Sequence, residues 1–419
     1  MRAKQPKYLP FLMWAFPLLF FAYQFILRLW PGLMMQQIME QFSINASHFG
    51  VMSALMYYGY SGMQIPVAIM LDRFSARYIV FVFAVLCGIA TFTFSYTDNW
   101  YIACISRFLV GVGSAVGFLG TSKVISEWFP KEQYAKMIGL SFTFGLMGAI
   151  FGGKPISILI ENYSWQKVAF ALAAISIMIG CGAYLFLRSI KKHKTTKETN
   201  QFRFANFKKL LSSPIIWLIA FANFLMVGSL EGFADVWGVS YLRTAYGLEK
   251  SQAAELVSFI FVGMLFGGPL LALLSKKLGN YPVIILCGFG MGAIFLLLLS
   301  NMEYNWYSFA GLLFLVGIMC CYQVIVFAAG ADLVNTQLLG VTIAFLNCIN
   351  MLGGSFFHTV IGYLMDVFWT GAIMDDNIRQ YSVESYGAAL MVIPICSILG
   401  ACMVGLVSYK LNQTVKHHE

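Results

Sequence analysis

The sequence predicts an all-α membrane protein of twelve transmembrane helices in two pseudo-symmetric six-helix bundles. Three observations carry this: composition, the spacing of apolar runs, and a repeat between the halves. Of 419 residues, 59% are hydrophobic and only 11% charged, for a mean hydropathy of +0.75. Soluble proteins carry about 25% charged residues, so this chain has too little polar side chain to cover a surface in water. Its 38 Phe, 21 Tyr and 22 Met equally exclude a disordered coil. Apolar runs recur about every 35 residues, room for one spanning helix of roughly 20 and a short connection. The segment MLDRFSARYI (70–79) ends the second run and LSKKLGNYPV (274–283) the eighth, 204 positions later. Each joins the same pair of helices within its half, the duplication typical of rocking transporters.

The runs are 9–38, 47–71, 78–97, 101–126, 137–160, 166–188, 214–241, 252–274, 281–300, 306–330, 338–366 and 386–409. Each is bounded by charged or turn-forming residues, and such runs cross lipid only as helices. The first follows Arg2, Lys4 and Lys7 as a secretory signal would. It is nevertheless too long, carries Arg28 and lacks a small-residue cleavage site, so it reads as an uncleaved helix. The longest internal polar stretch, Arg188–Leu211 with its KKHKTTKETN, follows the sixth run. The domains expected are therefore a bundle over 1–190, a cytoplasmic basic linker over 191–213 and a second bundle over 214–419. The linker reads as a solvated loop able to lie on the anionic inner leaflet.

Lys and Arg placement sets the orientation. With the N-terminus inside, 20 of the 27 fall on the cytoplasmic side and four (Lys167, Arg243, Lys250, Arg379) outside. Both termini are thus expected in the cytoplasm, and the net charge of +9 is a topology signal, not a nucleic-acid patch. The nine cysteines fall in apolar segments without CxxC spacing and read as small buried hydrophobes. No metal, cofactor or nucleic-acid partner is expected. The five histidines form no HExxH and no GxSxG occurs, so the chain is not expected to be an enzyme.

Three basic residues, Arg28, Arg107 and Lys154, lie inside spans, as do Glu231 and Asp235. Such groups cost about 2.5–3.5 kcal/mol each on the lower scale, so each is a functional candidate. At 1.5 Å per residue, Arg107, Lys154 and Asp235 lie about 9 Å from the outer ends of their spans, and Arg28 and Glu231 about 15 Å. Charges at similar depth on separate helices are tolerable around one shared, water-filled cavity. Arg28 shares a face with Gln24, four residues earlier, and a guanidinium grips carboxylate or phosphate through paired hydrogen bonds. Its alternatives are snorkelling or a structural ion pair. Lys154 either contacts solute or extends towards the outer interface. Glu231 and Asp235, also four apart, would titrate as a coupled unit. Besides proton coupling, they read as an ammonium site for an amino acid or as a water-exposed outer cap in the glycine-rich 228–238 stretch. Tyr57, Gln323 and Asn350 complete the candidate solute-binding set, with Asn347 and His358 as further polar groups that equally suit interhelical hydrogen bonding.

The motifs resemble those of the major facilitator superfamily of secondary transporters over essentially the whole chain. Asp72-Arg73-Phe-Ser-Ala-Arg77 looks like the family signature Gly-x-x-x-Asp-Arg-x-Gly-x-Arg, with Ala68 for the first Gly and Ser75 for the second. Arg107-Phe-Leu-Val-Gly111-Val-Gly113 is similar to the fourth-span motif, and Glu127-Trp-Phe-Pro130-Lys-Glu resembles the following turn in the organic-anion branch. Arg28-Leu-Trp-Pro31 and the YYGYSGMQIP of 57–66 resemble an intracellular-pathogen branch that imports amino acids or carboxylates. The exporters' Gly-x-x-x-Gly-Pro is interrupted here by Lys154, in Gly148-Ala-Ile-Phe-Gly152-Gly-Lys154-Pro155. The resemblance implies the major facilitator fold and alternating access. It also implies a gate at Asp72, Arg73 and Arg77, and gating, proton linkage or solute contact for Arg107.

The function expected is a proton-coupled symporter, monomeric and in a bacterial inner membrane, importing a small organic anion or amino acid. Its partners would be an anionic or zwitterionic solute, protons and lipids. The rival is proton-driven efflux of a drug, siderophore or metabolite.

Overall fold

The computed structural model describes residues 8–188, 210–300, 302, 304–335, 338–373 and 378–416. Twelve long helices follow one another: α1 Leu9–Leu33, α2 Ala46–Arg73, α3 Ala76–Tyr96, α4 Trp100–Trp128, α5 Lys131–Asn162, α6 Trp165–Phe186, α7 Pro214–Tyr246, α8 Lys250–Leu278, α9 Asn280–Leu298, α10 Trp306–Asp332, α11 Leu339–Val367 and α12 Val383–Leu411. Eleven are long and apolar enough to cross a membrane. The twelfth, α2, is long enough at 28 residues but carries His48, Gln64, Asp72 and Arg73. No strand occurs among the described residues, only an isolated bridge between Ile373 and Arg379. Most of the linker expected over 191–213 lies outside the described residues.

Local chemistry explains where helices start, stop and bend. Asn99 caps α4 by accepting from the Tyr101 and Ile102 amides, and Asn305 caps α10 by accepting from Ser308. Glu249 and Gln252 form a capping box on α8. The first helix stops at Leu33 instead of reaching 38, because Met34 leaves helical geometry three residues after Pro31. A short amphipathic helix, Met35–Phe42, then buries Met35, Ile38, Met39 and Phe42. It closes on Ser43, whose φ of 49° is the left-handed conformation. Gly153 and Pro155 break α5 at Lys154, since proline brings no N–H to the helical ladder.

By contact the molecule divides into two units: residues 1–43 with 55–194, and residues 44–54 with 195–419. The first three turns of α2 therefore belong with the second unit. Matching glycines reveal the repeat inside each. A Cβ on Gly59 of α2 would sit 2.2 Å from the Phe108 carbonyl oxygen of α4, and one on Gly263 of α8 would sit 2.1 Å from that of Phe314 on α10. Gly111 meets the Met56 carbonyl in the same way, and Gly317 that of Ile260. The helix breaks at Ala115 in α4 and Cys321 in α10 carry the same offset, 206. Small residues that let backbones touch are the usual adhesive of membrane helices.

Candidate functional site

In the first unit, α1 and α2 build a cationic, aromatic surface. The Arg28 guanidinium stands 5.2 Å from the centre of the Tyr57 ring and 5.8 Å from that of Phe25. Such contacts hold a guanidinium flat. Tyr60 lies three residues beyond Tyr57 on the same helix. Gln24 is buried one turn before Arg28, its amide pressed on the bare backbone of Gly117 in α4. Three of the residues expected to bind solute, Gln24, Arg28 and Tyr57, thus lie close together, with α4 behind them.

Arg107 occupies that rear position and is only 1% exposed. Its Nη1 donates to the Leu27 carbonyl at 3.1 Å and its Nη2 approaches the Met56 sulfur at 3.4 Å. The choice of acceptor follows from the sequence. In an α-helix the Leu27 carbonyl would accept from residue 31, which is proline and has no N–H. Arg107 supplies the missing donor and so fixes the turn that carries Arg28. Lys154 opens the last stretch of α5, two residues after Gly152, which lies against Ile26 and Leu29 of α1.

The second unit places both buried carboxylates in an unusual element. Residues Gly228–Trp237 of α7 form a π-helix, and all ten are buried. Wide turns of this kind concentrate at functional sites. The glycine-rich stretch is thus wound rather than open, and Glu231 and Asp235 are 1% and 2% exposed. Gly228 and Gly232 allow Phe357 and Ile361 of α11 to press on the segment. His358, in the next position of α11, has its Nε2 2.7 Å from the Glu231 carbonyl oxygen. A carbonyl only accepts, so this nitrogen carries the proton.

Towards the other end of α7, Asn223 donates to the Leu346 carbonyl (3.5 Å), and its own carbonyl accepts from the Tyr322 hydroxyl (3.1 Å). Gln323 follows Tyr322, and Asn350 lies one turn beyond Leu346. Asn350 is wholly buried, and neither of its amide atoms has a partner among the described residues. Asn223 escaped sequence reasoning because a neutral polar residue in an apolar run carries no charge signal.

At the signature loop, Asp72 meets Lys123 of α4 at 3.4 Å, and Lys123 lies 3.7 Å from Glu127. Arg77 stacks 4.5 Å over the Tyr184 ring of α6, and Arg73 is exposed at the end of α2. Ser75 caps α3 by accepting from the Arg77 amide. In the other half, Asn280 donates to Asp332 at 2.9 Å, joining the start of α9 to the end of α10.

The sequence profile of the Major Facilitator Superfamily matches residues 15–358. The probable sulfoacetate transporter SauU of Cupriavidus necator is 24% identical over 260 residues, 58% of this chain and 60% of that protein. The D-galactonate transporter of Escherichia coli O6:H1 is 24% identical over 372 residues, 78% and 82% of the two chains. This chain thus spans about three fifths of the first relative and more of the second. Among solved structures, a bacterial homolog of the human lysosomal transporter Spinster superposes with a TM-score of 0.78 at 14% identity. That match covers 97% of this chain and 98% of the other and speaks to the fold.

Proposed function

Because the chain belongs to the Major Facilitator Superfamily, a family of multi-pass membrane transporters, we propose that it is a proton-coupled symporter importing a small organic anion. Arg28 holds the anionic group and the Glu231–Asp235 pair takes up the proton. The observation that carries the reading is Arg28 itself, kept in the C-terminal half of α1 against Tyr57 and Phe25 and backed by the Arg107–Leu27 bond. A guanidinium binds a carboxylate or sulfonate through paired hydrogen bonds in its own plane. Two relatives named for sulfoacetate and D-galactonate fall in that chemical class. Gln24 and Tyr57 of the first unit, and Gln323 and Asn350 of the second, are assigned to the uncharged part of the solute. Amino acids remain in the class because a zwitterion offers the same carboxylate. Both termini lie in the cytoplasm, the membrane is a bacterial inner membrane, and the monomer is the working unit.

Proteoliposomes with an acidic exterior and alkaline lumen, offered small sulfonates, sugar acids and amino acids, test this. One anion class accumulates against its gradient in the parent. Losing a charge-assisted hydrogen bond costs about 1.5–3 kcal/mol, so Arg28→Gln lowers uptake at low solute by about 10- to 100-fold, and Arg28→Lys less. Unaltered uptake by Arg28→Gln, or net expulsion of solute from loaded vesicles under the same gradient, overturns it.

A further inference from the structure

Within the first unit, the start of α3 and the end of α6 carry basic side chains that lack acidic partners. In the segments 70–79 and 180–188 the charged residues are Arg73, Arg77, Arg188 and a single acid, Asp72. Lys123 of α4 engages that acid at 3.4 Å. Arg77 stands 4.5 Å over the Tyr184 ring of α6 and 5.8 Å from the centre of the Tyr78 ring. Its Nε is buried without a hydrogen-bond partner, and no carboxylate pairs with it among the described residues. Arg188, four residues after Tyr184, is exposed, and its amide donates to the Met13 sulfur of α1 at 3.1 Å.

The floor beneath these cations is aromatic and firmly held. The Tyr184 ring lies 5.0 Å from that of Phe81 and 6.0 Å from that of Tyr78, centre to centre. Further along the same two helices, Ser176 donates to the Ala84 carbonyl at 2.8 Å. A Cβ on Gly88 would lie 2.8 Å from the Ala173 carbonyl oxygen, so α3 and α6 touch backbone to backbone. Around the cations, Phe74, Tyr78, Leu185 and Phe186 are each more than half exposed. In a chain that crosses a membrane, apolar and aromatic side chains at the end of a span face lipid and its headgroups.

We propose that Arg77 and Arg188 bind the phosphate of an anionic membrane phospholipid of the phosphatidylglycerol type, whose chains run along Tyr78 and Val82 of α3 and Leu185 of α6. Three features support this. Arg77 stands in the first turn of α3, which contains no acid, and a cation there is repelled by the positive end of the helix until an anion joins it. A buried donor without an acceptor is costly, and a phosphate oxygen supplies the acceptor that Arg77 Nε lacks. The exposed side chains beside the cations are apolar, so a lipid satisfies both the charge and the surface, where a soluble anion satisfies only the charge. A guanidinium offers paired donors to phosphate, and Arg188 adds a second positive charge. Zwitterionic lipids bring the same phosphate with a cation of their own, which the two arginines repel. The site therefore selects a net negative headgroup.

The proposal needs only that the chain spans a membrane, and its readout is lipid binding, so it stands or falls apart from the solute and proton assignments. The full chain, purified in detergent, is titrated with dioleoyl phosphatidylglycerol and with dioleoyl phosphatidylcholine, and bound lipid is counted by native mass spectrometry. The parent binds phosphatidylglycerol about tenfold or more tightly than phosphatidylcholine. Each arginine beside an anionic headgroup is worth about fivefold in affinity, so Arg77→Gln/Arg188→Gln weakens phosphatidylglycerol binding by about 30-fold. Lys276→Gln/Lys277→Gln removes the same charge from the exposed end of α8 and leaves that affinity unchanged. Excess inorganic phosphate at constant ionic strength leaves the lipid in place. Should the double arginine variant not fold, Arg188→Gln alone, at an exposed side chain, lowers the affinity about fivefold, and an unchanged affinity overturns the site. Equal binding of the two lipids by the parent, or equal losses in the arginine and lysine pairs, overturns it too. Displacement of the lipid by phosphate would make this a soluble-anion site and defeat the lipid assignment.

Discussion

Arg107 illustrates how a covalent detail decides a membrane arginine's place. Proline at 31 leaves the Leu27 carbonyl without its intrahelical donor, and a buried guanidinium one bundle layer away fills the gap at 3.1 Å. Leaving a buried acceptor unsatisfied costs about 1–3 kcal/mol. Arg107→Met keeps the volume and removes the donor, so thermal unfolding in detergent should show a loss of about that size. Adding Pro31→Ala returns an N–H to the ladder and should recover part of it. A double variant no more stable than Arg107→Met would show that the carbonyl is not what Arg107 serves. The same residue marks what a sequence reveals. Its charge inside an apolar run made it a candidate, as it did Arg28, Lys154, Glu231 and Asp235. Which of these faces solute and which faces backbone depends on rotation about helix axes, which no charge pattern encodes.

Among elements, the spans were legible because an apolar run of about 20 residues has only one way to cross lipid. Their interruptions were partly legible. Pro31 and Pro155 stand beside the breaks in α1 and α5, although the apolar runs 9–38 and 137–160 pass through both, and the π-helix of α7, where Phe357 and Ile361 pack on Gly228 and Gly232, has no local signature beyond its glycines. The paired glycines lend themselves to a controlled comparison. Gly59→Ala and Gly263→Ala each push a methyl into a carbonyl oxygen and should destabilise by about 1–3 kcal/mol, the range for overpacking. Gly62→Ala and Gly268→Ala, where nothing lies within 4 Å, should be neutral or stabilising by up to about 1 kcal/mol, through helix propensity. Unfolding midpoints of the four variants distinguish close backbone contact from mere smallness. Equal effects at all four positions would remove the packing explanation for the repeat.

For the whole molecule, the repeat and the proposed proton coupling make different demands. Offsets of 204 to 206 recur in the loop after α2, the glycine contacts and the helix breaks, so the two units share a plan. Their ionisable groups do not: Arg28 and Arg107 are in the first unit, Glu231 and Asp235 in the second. An architecture duplicated in backbone but divided in charge suits a machine in which one half grips an anion and the other carries the compensating proton. Two carboxyls four residues apart in a buried segment repel when both are ionised, so uptake of one proton relieves the pair, and a solute-linked return to the ionised state costs the most where water is excluded. Glu231→Gln and Asp235→Asn remove that repulsion permanently. Each variant should still exchange labelled solute between two equal pools, because binding and reorientation need no net proton movement. Accumulation driven by an acidic exterior should fall by tenfold or more in at least one of them and lose its dependence on external pH. Retention of pH-driven accumulation by both variants would mean that the coupling ion travels by another route, and that the buried pair serves the π-helix of α7 structurally.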